Sequence, residues 1–382
     1  MVGKIASAVV LALATGTWTA MVQAEPAAMV QAEPAPLTFN VACGQTAKLR
    51  EALKTEAGEQ LVRIVLNPGR SSAPCVYELG STLATPHQGA WGTKRFYELV
   101  GNGSVIRPTE KAAAKKRPMS ALLNVWESKM SVEGITFTGS PSRGIRVRAR
   151  AELITRQGTR ITDNAGGGLA VESTGRAELL DDTTISGNTT TDTLHSEGGA
   201  GILATGTLIM RDHSQVTGNT ARGWFYVDGG KTHYDGGQGG GIKGSGTIIL
   251  EGYSQVSGNT AQASTAPGQG SVEQGRLRYD APGSGGGIFY SGGLRGSDGV
   301  SDTTLTIKDH ATIRGNRAIG ARNNTVGGWG GGIWVHDARG EGSDYVYKPT
   351  ITGQATVSNN TPENCRNMDG DTGPATAPGC SA

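Results

Sequence analysis

Short apolar segments that alternate with polar residues recur along the second half of the chain and define a repeat. The clearest copy, residues 198–221, begins with a glycine run, continues as an alternating apolar segment and ends in V-T-G-N-T-A. A second copy occupies residues 236–261, and looser copies begin at Gly166, Gly285 and Gly330. A period of two residues predicts strands rather than helices. Regular self-similarity of this kind indicates a repeat architecture.

One copy predicts three short strands separated by turns at Thr205-Gly206 and Asp212. Such a unit cannot bury its own apolar side chains, so it must stack on its neighbour, with parallel pairing about 4.8 Å apart. The predicted fold is therefore all-β, a right-handed parallel β-helix or single-stranded solenoid. Leu49 and Leu53 stand at helical spacing within residues 46–56, which predicts a short N-terminal capping helix before the first strand.

An asparagine closes each copy at an equivalent place, usually after a glycine. The series consists of Asn164, Asn188, Asn219, Asn259, Asn316 and Asn360. We expect these side chains to point inward at one corner, where each amide would hydrogen-bond its counterpart on the next coil. The predicted role of this ladder is structural, without chemistry.

The spacing of the asparagines indicates where loops are inserted. It ranges from 24 residues between Asn164 and Asn188 to 57 between Asn259 and Asn316. Most of the excess follows the asparagine corner, so successive loops should lie side by side on one flank. Trp224, Tyr226, Tyr234, Tyr279 and Tyr345 fall in these loops and are candidate binding residues. Their rings would stack on sugars or anchor a protein partner, or else cover the solenoid wall.

The beginning of the chain is typical of an exported protein. Lys4 precedes an apolar run, and V-Q-A ends at Ala24, which predicts a signal peptide over residues 1–24. A Pro/Ala linker follows over residues 25–36, where a duplicated AMVQAEPA leaves the mature N-terminus open. We expect a single β-helix domain over residues 37–365 and a C-terminal tail over residues 366–382. No later segment is apolar enough to predict a membrane span.

Four cysteines in an exported chain favour two disulfides over free thiols. Cys43, Cys75, Cys365 and Cys380 allow three pairings, of which the local one joins Cys43 to Cys75 and Cys365 to Cys380. In that pairing each bond would tie one end of the solenoid, and the second would hold the C-terminal tail.

Arginines concentrate in the strand RGIRVRAR, where Arg146 and Arg150 are candidate binding residues on an outward basic strip. Such a strip would suit a polyanion. The alternative is charge pairing between coils, because a shift of 24 residues places Glu172 beside Arg148. The net charge of the whole chain is only +2, and no nucleic-acid partner is expected.

Acidic residues recur just before the final strand of three copies, as Asp181-Asp182, Asp212-His213 and Asp309-His310. Stacked carboxylates would serve a polysaccharide hydrolase or hold calcium. The equivalent Gly252-Tyr253 instead favours a turn position that tolerates aspartate. Catalytic residues are therefore left unassigned, no metal site is predicted, and no cofactor is expected, with calcium relevant only to a lyase.

Two sets of motifs resemble known families. The opening VACGQTAKLREAL, with LVGNGSVIRP and the closing NNTPENC, resembles secreted actinobacterial β-helix proteins of the pectin-lyase-like superfamily. The V-x-G-N-T-A and GGGI pairs are similar to the FxxN and GGAI repeats of polymorphic outer-membrane proteins, with Val or Ile replacing Phe. The resemblance implies the β-helix fold. It leaves activity open, because the superfamily holds lyases, hydrolases, adhesins and inert passengers.

The favoured function is that of a secreted, monomeric binding protein that recognises glycans or a cell-surface partner through the loop flank. The alternative is a polysaccharide lyase or glycoside hydrolase of the pectin-lyase-like type. That reading requires acidic groups and a basic group in one groove. A second alternative is a structural passenger or an exported virulence or adhesion factor.

Overall fold

A computed structural model describes most of the chain from Pro34 to Asn367. The described residues are 34–69, 74–87, 95–115, 119–191, 198–228, 231–264, 271–273, 276–278, 283–291, 303–320, 328–336 and 349–367. Of residues 225–228, 231–235, 271–273, 276–278, 336 and 367 only the backbone is described. The predicted signal peptide, most of the predicted linker and Cys380 lie outside the described residues.

Nine parallel strands form the sheet that follows the glycine runs, here called the glycine-led sheet. Its strands are Leu83–Ala84, Ala121–Val125, Arg143–Val147, Leu169–Val171, Ile202–Ala204, Ile242–Gly244, Ile288–Ser291, Ile333–His336 and Cys365–Asn367. Each strand pairs in register with its equivalent one coil on, as Ile202 does with Ile242.

Seventeen strands form the main sheet, which contains two strands of each coil. The first strands are Leu37–Val41, Val62–Leu66, Glu152–Thr155, Arg176–Leu179, Thr207–Met210, Thr247–Leu250, Leu305–Ile307 and Thr350–Ile351. The second strands are Val76–Leu79, Arg160–Thr162, Thr184–Ser186, Gln215–Thr217, Gln255–Ser257, Thr312–Arg314 and Thr356–Ser358. Two long strands, Arg95–Pro108 and Ser128–Thr138, run through both positions.

The remaining elements are short. Four strands make a third parallel sheet, here called the short sheet: Thr189–Thr191, Thr220–Arg222, Thr260–Gln262 and Arg317–Ile319. Two antiparallel hairpins pair Trp224–Asp228 with Lys231–Asp235 and Ser271–Glu273 with Arg276–Arg278. The described residues contain two helices, Thr46–Leu53 and Glu110–Ala113.

These sheets confirm the predicted parallel β-helix. All three stacked sheets are parallel, and the main sheet curls 317° around the axis. The prediction of three strands for each coil was incomplete, because a fourth strand follows the asparagine corner in the coils that carry the short sheet. The inserted loop leaves after that fourth strand rather than at the corner itself. Among the described residues no helix is long and apolar enough to cross a membrane.

The N-terminal end is closed by the helix Thr46–Leu53, whose residues Leu49, Ala52 and Leu53 are buried in the core. The expectation that this helix precedes the first strand was wrong, because Leu37–Val41 comes before it and pairs with Val62–Leu66. The helix therefore sits in the connection between two paired strands. The disulfide between Cys43 and Cys75 is confirmed and joins this connection to the main sheet.

The other end of the described chain finishes in the strand Cys365–Asn367, two residues beyond the predicted domain boundary. This strand pairs with Ile333–His336 as the last member of the glycine-led sheet. Cys365 is disulfide-bonded. Its expected partner, Cys380, lies outside the described residues.

The six predicted asparagines stack in one column inside the coil. From Asn164 to Asn316, each Nδ2 donates to the Oδ1 of the next asparagine over 2.9–3.0 Å, and Asn360 donates to Asn364, which ends the column. Each backbone N–H also donates to the same oxygen. The second Nδ2 hydrogen reaches a strand carbonyl, such as that of Ile185 for Asn219. These contacts satisfy polar groups that are otherwise shut off from water.

The last glycine of each glycine run lies against this ladder. A Cβ on Gly241 would stand 2.9 Å from Nδ2 of Asn259 and 2.6 Å from the carbonyl oxygen of Gly287. Gly287 would meet Asn316 in the same way. The glycine runs and the asparagines therefore recur together because the amide occupies the space that a side chain would need.

Removing one amide from the ladder should destabilise the protein strongly. Asn219→Ala leaves the Asn188 backbone N–H, its side-chain amide and the Ile185 carbonyl without their partner, and should cost about 3 kcal/mol or more. The thermal denaturation midpoint measures this. Gln215→Ala, on the outer side of the preceding strand, is the control and should change stability by less than about 0.5 kcal/mol. Equal midpoints for the two variants would show that the ladder is dispensable.

A methyl group on the glycine beside the ladder should also destabilise the fold. Gly241→Ala forces a Cβ against a backbone carbonyl and the Asn259 amide, and overpacking of this kind costs about 1–3 kcal/mol. The matched control is Gly80→Ala, where a Cβ meets nothing within 4 Å. Thermal midpoints of the two variants that do not differ would contradict the close approach.

Candidate functional site

The predicted basic strip is largely neutralised by ion pairs between coils. Nη1 of Arg148 lies 2.6 Å from Oε1 of Glu172, and Nη1 of Arg146 lies 3.6 Å from the same oxygen. Arg150 pairs with Glu127. The Arg148 guanidinium also lies 4.6 Å from the centroid of the Trp126 ring, a cation–π contact. Arg146 and Arg150, chosen as ligand-binding candidates, thus take part in the charge pairing that was weighed as the alternative.

The aromatic candidates of the loops have different placements. Trp224 begins the first hairpin, in which Tyr226 is paired with His233 and Tyr234 with Phe225. The strand Lys231–Asp235 of this hairpin contacts the strand Ser271–Glu273 of the second one. The two inserted loops therefore lie side by side, as the loop positions predicted. Tyr279 and Tyr345 lie outside the described residues.

An outward ladder of alternating charges runs along the main sheet, on the first strands, on the residues just after them and on the long strand Ser128–Thr138, and is here called the charged face. Its members, in spatial order, are Lys129, Glu152, Arg176, Glu178, Arg211, Glu251 and Lys308. Lys308 Nζ lies 2.6 Å from Oε2 of Glu251, which also pairs with Arg211. Burial raises the pKa of Glu251, but its hydrogen bonds to Lys308 and Arg211 outweigh this and leave the pKa below its ordinary value.

The second strands of the main sheet present a different surface, here called the hydroxyl face. The middle residue of each strand is buried, as Val216 and Val256 are, and the flanking residues point outward. The first residues of successive strands form one outward column: Arg160, Thr184, Gln215, Gln255, Thr312 and Thr356. The third residues form a second column: Thr162, Ser186, Thr217, Ser257, Arg314 and Ser358. Most of these side chains carry a hydroxyl or an amide, although the Oγ1 of Thr312 is buried, and none carries a carboxylate.

A column of three stacked rings borders the hydroxyl face. The rings of His213 and Tyr253 are 5.2 Å apart between centroids, those of Tyr253 and His310 are 4.7 Å apart, and both pairs are within 4° of parallel. Tyr253 is 52% exposed. This column, here called the aromatic column, lies at the corner where each first strand turns into the second, and its ring spacing follows the coil repeat.

The aspartates at this same corner serve the turns. Asp181, Asp212 and Asp309 adopt positive φ angles of 54°, 53° and 60°. Their carboxylates accept backbone N–H groups of the preceding coil, as Asp212 does from Asp181 at 3.0 Å and Asp309 from Gly252 at 3.2 Å. In the described part of the chain no group of three or more His, Cys, Asp or Glu side chains could hold a metal ion.

The aromatic column and the hydroxyl face were not chosen as sites from the sequence. The signal for the column was present, because His213, Tyr253 and His310 follow the corner residue at equivalent positions of three copies. That corner was weighed only as a carboxylate site and then interpreted as a turn. The signal for the hydroxyl face was the recurring pair of Thr, Ser or Gln around one apolar residue, which was used only to predict strands.

Comparison with known proteins adds no relative. No family model matches the chain, and neither the curated proteins nor the solved structures yield a significant match.

The pKa of Glu251 predicts a specific acid sensitivity. A lowered folded-state pKa contributes stability that is complete above the ordinary value of 4.5 and is lost as the pH falls through the folded pKa. Glu251→Gln should therefore lower the thermal midpoint at pH 7, and the gap from the unmodified protein should close in acid below pH 4.5. Glu78→Gln, which removes an isolated exposed pair with Arg107, is the control and should have the smaller effect at pH 7. A pH-independent gap for Glu251→Gln would contradict the prediction.

Proposed function

We propose that the protein is a non-catalytic binding protein that recognises polysaccharides along the outside of the β-helix. The observation that carries the proposal is the exposed aromatic column beside the hydroxyl face. The column supplies ring surface at one border, and the face supplies hydrogen-bonding side chains across its width.

The chemistry of the hydroxyl face suits sugars. Thr and Ser hydroxyls both donate and accept hydrogen bonds, and the Gln215 and Gln255 amides do the same with separate atoms. Sugar hydroxyl groups need this mixture of donors and acceptors. The faces of the Tyr253 ring lie against His213 and His310, so the column offers a sugar its ring edges and the Tyr253 phenol.

The geometry of the solenoid suits a polymer better than a small ligand. The coils repeat about every 4.8 Å, and the same side-chain types recur from coil to coil. One chain lying along the axis would meet equivalent groups repeatedly, so weak contacts at each coil would add through multivalency. On the charged face, by contrast, the charged side chains are ion-paired with each other, so they offer fewer groups to a ligand.

The predicted signal peptide and the disulfide between Cys43 and Cys75 support a location outside the cytoplasm, where such polymers occur. The resemblance to secreted β-helix proteins of the pectin-lyase-like superfamily agrees with this location. The adjacent hairpins that begin at Trp224 and Ser271 supply a second surface, on the flank where the loops emerge. We assign that flank an auxiliary contact with the glycan or with the cell surface that bears it.

Substitution of the central ring of the aromatic column tests the proposal. Retention on a panel of immobilised neutral polysaccharides should identify a bound polymer, and Tyr253→Ala should weaken that binding about tenfold, because the phenol and the exposed ring edge at the centre of the column are lost. The control is Gln354→Ala, at the equivalent corner position one coil beyond His310. This variant should bind like the unmodified protein.

Two outcomes would refute the proposed function. One is the absence of retention on every polysaccharide of the panel. The other is a Tyr253→Ala variant that keeps the thermal midpoint and the full affinity of the unmodified protein.

A further inference from the structure

Two exposed arginines flank one corner at the border of the hydroxyl face. Arg314 ends a second strand, and Arg317 begins the next strand of the short sheet, so the two flank the corner at Gly315-Asn316. Both side chains are exposed. Within the described part of the chain neither has an ion-pair partner, whereas the arginines of the charged face are paired.

The surroundings of this corner consist of donors and hydroxyl groups. Arg314 lies between Ser257 and Ser358 of the neighbouring strands, and Arg317 lies beside Thr260. The three adjacent corners, residues 257–260, 314–317 and 358–361, contain no aspartate or glutamate. A bound anion would therefore meet two guanidinium groups without a competing carboxylate in these corners.

The corner is also open to solvent. A Cβ built on Gly315 meets no atom within 4 Å, and one on Gly258 meets its first neighbour at 3.9 Å. The asparagine of this corner points inward, where Asn316 binds Asn360 and the carbonyl of Val256. The outer side of the corner thus has room for a ligand group, with the backbone beneath it held by the ladder.

We propose that this corner binds a tetrahedral oxyanion, the phosphate or sulfate ester of a polymer lying on the hydroxyl face. A tetrahedral ester presents several oxygens at once, so it can accept from both guanidinium groups and from nearby hydroxyls, while a carboxylate has only two oxygens to share. This inference rests on the proposed polysaccharide binding and names the class of polymer. Neutral sugars would contact the face and the aromatic column, and the esters would fix the register at the arginine corner.

Four dextrans that differ only in substituent test the class of ligand: neutral dextran, carboxymethyl dextran, dextran sulfate and dextran phosphate. The unmodified protein should bind the sulfate or the phosphate derivative more tightly than the carboxymethyl derivative of equal charge density. The preferred derivative identifies which ester the corner takes. Equal affinity for carboxymethyl dextran and both esters would overturn the assignment.

Variants at the corner test the residues. Arg314→Gln with Arg317→Gln should weaken binding of the preferred ester about tenfold or more, because charge-assisted hydrogen bonds are lost, and should leave the affinity for neutral dextran unchanged. Arg176→Gln with Arg211→Gln is the matched control, since it removes two positive charges from the charged face. A similar loss in the control, or no loss in the double variant, would overturn the proposal. If the double variant fails to fold, the single Arg314→Gln variant is subject to the same comparison.

The two proposals fail in different ways. Loss of affinity in the arginine variants, with no effect of Tyr253→Ala on any dextran, would retain the oxyanion site and reject the aromatic column as a sugar contact. Loss of affinity in Tyr253→Ala, with unchanged affinity in the arginine variants, would retain the aromatic column as a sugar contact and reject the oxyanion site.

Discussion

The hydrogen-bonded column of asparagines is the constraint on which the repeated part of this molecule depends. Each amide of the column donates to the next asparagine and to a strand carbonyl of the preceding coil, as Asn219 does to Asn259 and Ile185. Its oxygen accepts two N–H groups of the preceding asparagine, so the coils are joined at one corner by buried polar contacts. The same amides exclude any side chain from the last glycine of the run that opens the same copy. The glycine run and the G-N pair, which stand far apart in the sequence of each copy, are therefore in direct contact in the structure.

Because the interior is held in this way, the outward side chains are free to differ from face to face. The first strands of the main sheet and the residues just after them form an alternating series of ion pairs. The second strands carry hydroxyls and amides, and at one of their corners Arg314 lies near Arg317 of the short sheet, neither with an ion-pair partner among the described residues. Neighbouring surfaces of one sheet thus differ in chemistry although their backbones are continuous. This difference, rather than any single residue, separates a stabilising face from a face available to a ligand.

Repetition made the fold predictable and made the site harder to predict. The alternation of apolar residues and the recurrence of asparagine specified strands, stacking and the inward corner, because those properties repeat with the coil. The fourth strand was missed because T-A-R and T-A-Q are too short for a periodic signal. The first strand was missed because Leu37–Val41 depends on pairing with Val62–Leu66, which no local pattern indicates.

By itself the sequence determined the solenoid, the positions of the loops, the ladder asparagines and the pairing of Arg148 with Glu172, because each follows from the period of the repeat. Only the tertiary structure decided which exposed charged groups form ion pairs and which have no ion-pair partner among the described residues. Arg146 was a candidate ligand-binding residue, yet it shares the Glu172 carboxylate, while Arg314 drew no attention and has no ion-pair partner in the described chain. The physical reason is that charge pairing between coils depends on side-chain reach and on the residue one coil away. The number of residues between equivalent positions of successive coils changes with each inserted loop.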